Sequence, residues 1–196
     1  MNIVLHEPGI ALNTGNIGRT CVATDTGLHL IKPYAFRISE KEIKRAGMDY
    51  WPKVRLSEYI DFEDFLARHP EIEDECAAAE NDEKTSGISA VALSKEEKVL
   101  ERANSPRLWY ATTKAHQCYT DVHFGKNDYI MLGNESRGIP EEILTKHPER
   151  CIRIPMWGDI RSLNLANSAA IILYEALRQN NFEKMERYGE LHHLHW

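Results

Sequence analysis

Short apolar runs alternate with longer amphipathic stretches along most of the chain. Asn2–His6 (NIVLH), His29–Ile31, Val54–Leu56, Leu108–Thr112 (LWYAT), Tyr129–Leu132 (YIML) and Cys151–Ile154 (CIRI) read as short buried strands. Between them the spacing predicts helices. Gly15–Gly27 is expected to be helical, capped by Asn13, Thr14 or Asn16 and closed by Gly27. Ser39–Ala46 opens with a capping box, Ser39 with Glu42, and is followed by Gly47. Asp61–Arg68 turns Phe62, Phe65 and Leu66 inward, and Ile139-Pro140 opens a short helix through Leu144. From Leu163 to Gln179, Leu165, Ala166, Ala169, Ile172, Leu173, Ala176 and Leu177 recur at three- and four-residue steps, with Ser162 placed as the N-cap. This alternation predicts an α/β fold: a mostly parallel sheet, helices on both faces and right-handed crossovers.

A chain of 196 residues suits one domain. The pattern weakens between Pro70 and Pro106, where the sequence turns acidic and polar. Glu71–Arg102 holds ten acidic residues against four basic ones, which alone carries the net charge of −6. The rest is neutral and can present a local basic patch. The expected layout is therefore one domain over 1–180 with an acidic insertion at about 70–106. A polar tail, 181–196, ends in HHLHW. No run approaches the roughly 18–20 apolar residues of a membrane helix, so no membrane partner is expected. MNIVLHEPG has neither a basic n-region nor a cleavage site, so no signal peptide is expected. Cys21, Cys76, Cys118 and Cys151 form no CxxC pair, which fits reduced thiols in the cytoplasm.

Chemistry concentrates in three loops that leave strand C-termini: Glu7–Arg19, Gly133–Pro140 and Pro155–Asn164. Parallel sheets bind ligands beyond such ends. Together these loops supply Asn13, Arg19, Glu135, Arg137, Arg161, Ser162 and Asn164, with glycines that let a ligand approach backbone. The dinucleotide fingerprint GxGxxG, the P-loop and the GxSxG elbow are all absent. The tail histidines read as a solvated tail, so no metal is expected.

NTGNIGRTC (Asn13–Cys21), LGNESRGIP (Leu132–Pro140) and IRIPMWGDIRSLNLANSAAIILYEALRQ (Ile152–Gln179) resemble the three motifs of the SPOUT RNA methyltransferases. NIVLHEPGIALNTGNIGR and RAGMDYWPKV (Arg45–Val54) look like the branch that methylates the tRNA wobble ribose, cytidine or uridine 34. The resemblance implies a C-terminal deep trefoil knot, S-adenosyl-L-methionine as methyl donor with S-adenosyl-L-homocysteine as product, and a homodimer whose active sites draw on both subunits. It implies a tRNA anticodon stem-loop as substrate. Carried over by position, Ala111, Gly133, Ile154 and Ser162 would hold the cofactor. Asn13, Arg19, Glu135 and Asn164 match the family's polar motif residues. Arg19 is given a role in activating the ribose hydroxyl. Guanidinium keeps its proton at neutral pH, so fixing a phosphate and offsetting charge on the attacking oxygen suits it better than acting as base. Tyr174 is expected at the dimer contact.

The motifs leave open ribosomal RNA or another tRNA position as substrate, and a non-catalytic RNA-binding relative. The chain departs from the pattern in two places. The acidic 70–106 stretch replaces a much shorter segment. Asn134 stands where the family often has proline, which should loosen that loop without harming activity.

Overall fold

In the computed structural model, which describes residues 1–34, 36, 49–72 and 105–194, six parallel strands form one sheet. They are β1 (Asn2–His6), β2 (Gly27–Ile31), β3 (Leu56–Tyr59), β4 (Leu108–Ala111), β5 (Tyr129–Leu132) and β6 (Cys151–Ile152), in the order β3-β2-β1-β5-β4-β6. Among the described residues four helices accompany them: α1 (Ala11–Ala23), α2 (Phe62–Arg68), α3 (Glu141–Leu144) and α4 (Leu165–Gln179). Pairing is in register, Leu5 opposite Leu132 and His6 opposite Ile31, so the carboxyl ends of β1, β2 and β5 share one end of the sheet.

Both faces are covered, as a parallel sheet requires. Ile3, Leu5, Leu28, Leu30, Ile130 and Leu132 point to one face, where Ile17 and Cys21 of α1 and Ala169, Ile172, Leu173 and Ala176 of α4 meet them. Val4, Ile31, Tyr59, Tyr110 and Met131 point to the other, under Phe65 of α2 and Leu144 of α3. The expected inward faces of α2 and α4 are those observed. No helix among the described residues is long and apolar enough to cross a membrane.

Several boundaries differ from expectation. Helix α1 starts at Ala11, four residues before Gly15, and none of Asn13, Thr14 or Asn16 caps it. It ends at Ala23, because Asp25 turns the chain with a φ of 49° and Gly27 is already strand. The third strand is Leu56–Tyr59 and not Val54–Leu56, because a tight turn at Trp51–Lys53 delays it. Strand β6 stops at Ile152; Arg153 then bridges to Cys118 in a loop. Asn164, not Ser162, caps α4: its Oδ1 accepts from the backbone N–H of Ala166 at 2.9 Å and of Asn167 at 3.3 Å. The expected Ser39–Ala46 helix and most of the acidic 70–106 stretch lie outside the described residues.

A buried polar chain sits on the α2 side. The Asn2 amide donates to the Asn127 carbonyl, so its Oδ1 faces His29 Nε2 at 3.3 Å. His29 Nδ1 then accepts from the Tyr59 hydroxyl at 2.8 Å, and His69 Nε2 donates to that hydroxyl at 2.7 Å. Glu71 accepts from the Tyr129 hydroxyl and lies 2.9 Å from His69 Nδ1. Burial, reinforced by the neighbouring His69, holds the His29 imidazole down at about 4. The unfolded chain therefore takes up this proton near pH 6.5, and the folded chain takes it up only near 4. The resulting stability, about 3 kcal/mol, is present above pH 6.5 and is lost as pH falls to about 4. Thermal melts of His29→Gln should show a shallower loss of Tm across that window than the parent chain; an unchanged slope would exclude His29 as its source.

Candidate active site

The site lies beyond the carboxyl ends of β4, β5 and β6, next to the point where the strand order reverses between β1 and β5. The first four N–H groups of a helix need partners, and α1 has no side-chain cap of its own. Glu135, from the loop after β5, supplies partners near that end. Its Oε2 accepts from Gly9 N–H at 2.8 Å; its Oε1 accepts from Ile10 N–H at 3.2 Å and from Asn13 Nδ2 at 2.9 Å. The same Asn13 side chain accepts at Oδ1 from Asn164 Nδ2, at 3.0 Å. One hydrogen-bonded line, Asn164–Asn13–Glu135, thus joins the three loops. Arg161 adds a second tie by donating to the Ser136 carbonyl at 2.6 Å.

The β5 loop is built for close approach. A Cβ on Gly133 would lie 2.1 Å from the carbonyl carbon of Gly138 and 2.2 Å from the Ile139 nitrogen, so only glycine fits. Gly138 itself takes a φ of 75°. Asn134 does not loosen this loop, contrary to expectation. Its Oδ1 accepts from Ser136 and Arg137 N–H at 3.0 and 3.2 Å, an Asx turn, and its Nδ2 donates to the Glu7 carbonyl at 2.7 Å. Glu7 has a φ of 51°, an uncommon conformation held also by its 2.7 Å ion pair with Arg137. Asn134→Ala should weaken ligand binding in this cavity about tenfold by freeing both loops. Calorimetry would register it, and unchanged affinity would show the Asx turn to be dispensable.

These loops enclose a cavity of about 500 Å³. Its apolar wall is Leu132, Ile152, Ile154, Leu165 and Ile172; Lys114, Arg137 and Arg161 also line it. Seven of the expected site residues line it together: Asn13, Ala111, Gly133, Glu135, Ile154, Ser162 and Asn164. Sequence reading missed Lys114, Thr112 and Ser168, which also line it: the exit from β4 beyond Ala111 carries no motif, and Ser168 reads as one more polar position of an amphipathic helix.

Arg19 is the exception. It is exposed on α1, outside the cavity, its guanidinium stacked 4.8 Å from the centre of the Tyr50 ring. Six residues of helix place it about 120° around the axis from Asn13 and about 9 Å along it. Tyr50 is itself anchored by donating to the Gly15 carbonyl at 2.8 Å. Trp51 packs where a Cβ on Gly18 would lie 2.5 Å from its ring. Among the described residues, no group of three or more histidines, cysteines or acids is placed to hold a metal.

A family model described as SpoU rRNA Methylase matches residues 1–174. The chain belongs to the SpoU methylase family. A Listeria innocua relative, provisionally assigned as a tRNA (cytidine(34)-2′-O)-methyltransferase, is 40% identical over 184 residues, 92% of this chain and 89% of the relative. Among solved structures, one described as giving structural insights into the 2-OH methylation of C/U34 on tRNA has a TM-score of 0.70 at 33% identity. The match covers 92% of this chain and 95% of that one. A further solved structure, described as an AdoMet-bound rRNA methyltransferase from Sinorhizobium meliloti, shares the fold at a TM-score of 0.62 and 21% identity, over 90% of this chain and 55% of that one.

Proposed function

We propose that this methylase transfers a methyl group from S-adenosylmethionine to the ribose 2′-hydroxyl of tRNA nucleotide 34, a cytidine or uridine. The observation that carries the reading is the Asn164–Asn13–Glu135 line at the mouth of a half-apolar cavity, in a chain whose relatives bear that activity in their names.

The cavity fits the cofactor. Its volume of about 500 Å³ suits a nucleoside with an amino-acid tail. Leu132, Ile152, Ile154 and Ile172 offer an apolar slot for adenine, and Ala111 and Gly133 line the cavity beside it. Ser162 and Ser168 offer hydroxyls. When bound, S-adenosylmethionine supplies an electrophilic methyl on sulfonium. Glu135 already accepts three donors, so it acts as an anchor that fixes Asn13 and not as a free base. Asn164 and Asn13 hold the α4 and α1 ends of the cavity in register, which is the alignment an in-line displacement needs.

Arg19 enters through a second copy of the chain. Leu12, Ile171 and Tyr174 are exposed on α1 and α4, at 66%, 37% and 44%. These helices pack side by side, so one apolar face spans both. A two-fold homodimer through this face brings Arg19 to the partner's cavity, where it fixes a phosphate and offsets charge on the attacking oxygen. The trefoil knot belongs to the same reading. Its support is the path of the chain, which leaves the edge strand β6 and returns over the β5 loop through the Arg161–Ser136 contact. The whole reading is tested by incubating the protein with labelled S-adenosylmethionine and unmodified tRNA transcripts and mapping the label. Label at nucleotide 34 supports it; label in ribosomal RNA or at another tRNA position removes the assigned substrate.

A further inference from the structure

Trp157 is 94% exposed, more than any other large apolar side chain among the described residues. It sits on the Pro155–Leu163 loop, whose Met156, Arg161 and Ser162 line the cavity. Trp157 itself does not line it. Gly158, with a φ of 67°, turns the chain directly after the indole. The adenine slot is already walled by aliphatic side chains, so Trp157 is not needed there. A bare indole in water beside a ligand cavity calls for an occupant that arrives from solution.

The proposed substrate brings one. A ribose hydroxyl reaches an enclosed methyl only if its nucleotide leaves the base stack, and the stacking lost must be replaced. Indole is a suitable replacement, and every base has a face to offer it. The surroundings match: Lys114, Arg137 and Arg161 line the cavity and can meet backbone phosphates, Lys114 and Arg137 by exchanging their ion pairs with Glu141 and Glu7 for them. Building on the function proposed above, we infer that Trp157 is the stacking platform for the base of the methylated nucleotide. Stacking carries no hydrogen-bond code, so this contact tolerates cytidine and uridine alike.

The test is a double-mutant cycle between Trp157→Ala and an anticodon stem-loop lacking the base at nucleotide 34. With the intact stem-loop, Trp157→Ala is expected to raise KM for RNA roughly 5- to 150-fold, and Trp157→Phe to recover much of the loss. Affinity for S-adenosylmethionine and the sedimentation of the dimer should stay as in the parent. The abasic stem-loop should be poor for the parent chain and no worse for Trp157→Ala. An abasic penalty of full size in Trp157→Ala would overturn the inference. So would a loss of cofactor affinity, which would make the indole a lid, or a dissociated dimer, which would make it a subunit contact. Binding of the stem-loop in the presence of S-adenosylhomocysteine separates the two readings. A parent chain that binds through Trp157 but transfers no methyl overturns the proposed reaction alone; one that does not bind overturns both.

Discussion

Arg19→Ala is expected to lower kcat by about 10²- to 10³-fold while leaving the affinity for S-adenosylmethionine within about twofold. The reasoning is spatial. Arg19 touches Tyr50 and lies outside its own chain's cavity, so its removal leaves cofactor contacts intact. The charge it would offset develops only as the hydroxyl attacks, which places the loss in turnover. Arg19→Lys should recover little, because a point charge lacks the planar fork that grips a phosphate. Equal loss of binding and turnover would mean that Arg19 supports the fold of α1 and has no part in the reaction.

Gly133→Ala is expected to weaken cofactor binding at least about 100-fold, a larger effect than ordinary overpacking, because the clash is with backbone. The added methyl would sit 2.1 Å from the Gly138 carbonyl carbon and 2.5 Å from its oxygen. Relief requires opening the turn that the Asn134–Gly138 bridge closes and that carries Glu135 to Gly9, Ile10 and Asn13. Calorimetry on the purified variant measures the loss. Parental affinity would show that the β5 loop yields freely and that its geometry does not define the cavity.

The two variants also test the dimer. In a randomly reassorted equal mixture, a mixed dimer carries one cavity with native Gly133 facing one native Arg19. Activity should return to about a quarter of the parent's, although each variant alone is nearly inactive. If mixing restores nothing, Arg19 serves its own chain or the face formed by α1 and α4 is not the contact.

The sheet was largely legible in the sequence because buried parallel strands declare themselves as apolar runs: Asn2–His6 and Tyr129–Leu132 match the observed strands to the residue. The three site loops were legible as strand exits carrying asparagine, glycine and arginine. The start of α1 was not, because Glu135, which accepts from Gly9 and Ile10, lies about 125 residues away in sequence. The α4 cap was misplaced by two residues because Ser162 and Asn164 are both good caps; the bond from Asn164 to Asn13 decides between them. The late expected start of α1 also hid Arg19's position. With α1 taken to begin at Gly15, Asn13 falls in the loop before the helix and its angular relation to Arg19 cannot be read, whereas the observed helix carries both and places them on different faces. The Asn134 side chain replaces proline's rigidity with three hydrogen bonds, a substitution that only coordinates reveal.

The most direct test of the central claim uses two anticodon stem-loops that differ by one oxygen. One carries ribose at nucleotide 34 and the other 2′-deoxyribose, and both are given tritiated S-adenosylmethionine and the parent protein. Label on the ribose substrate and none on its deoxy partner is the predicted result. Equal label on both would place the methyl elsewhere in the RNA and contradict wobble-ribose methylation.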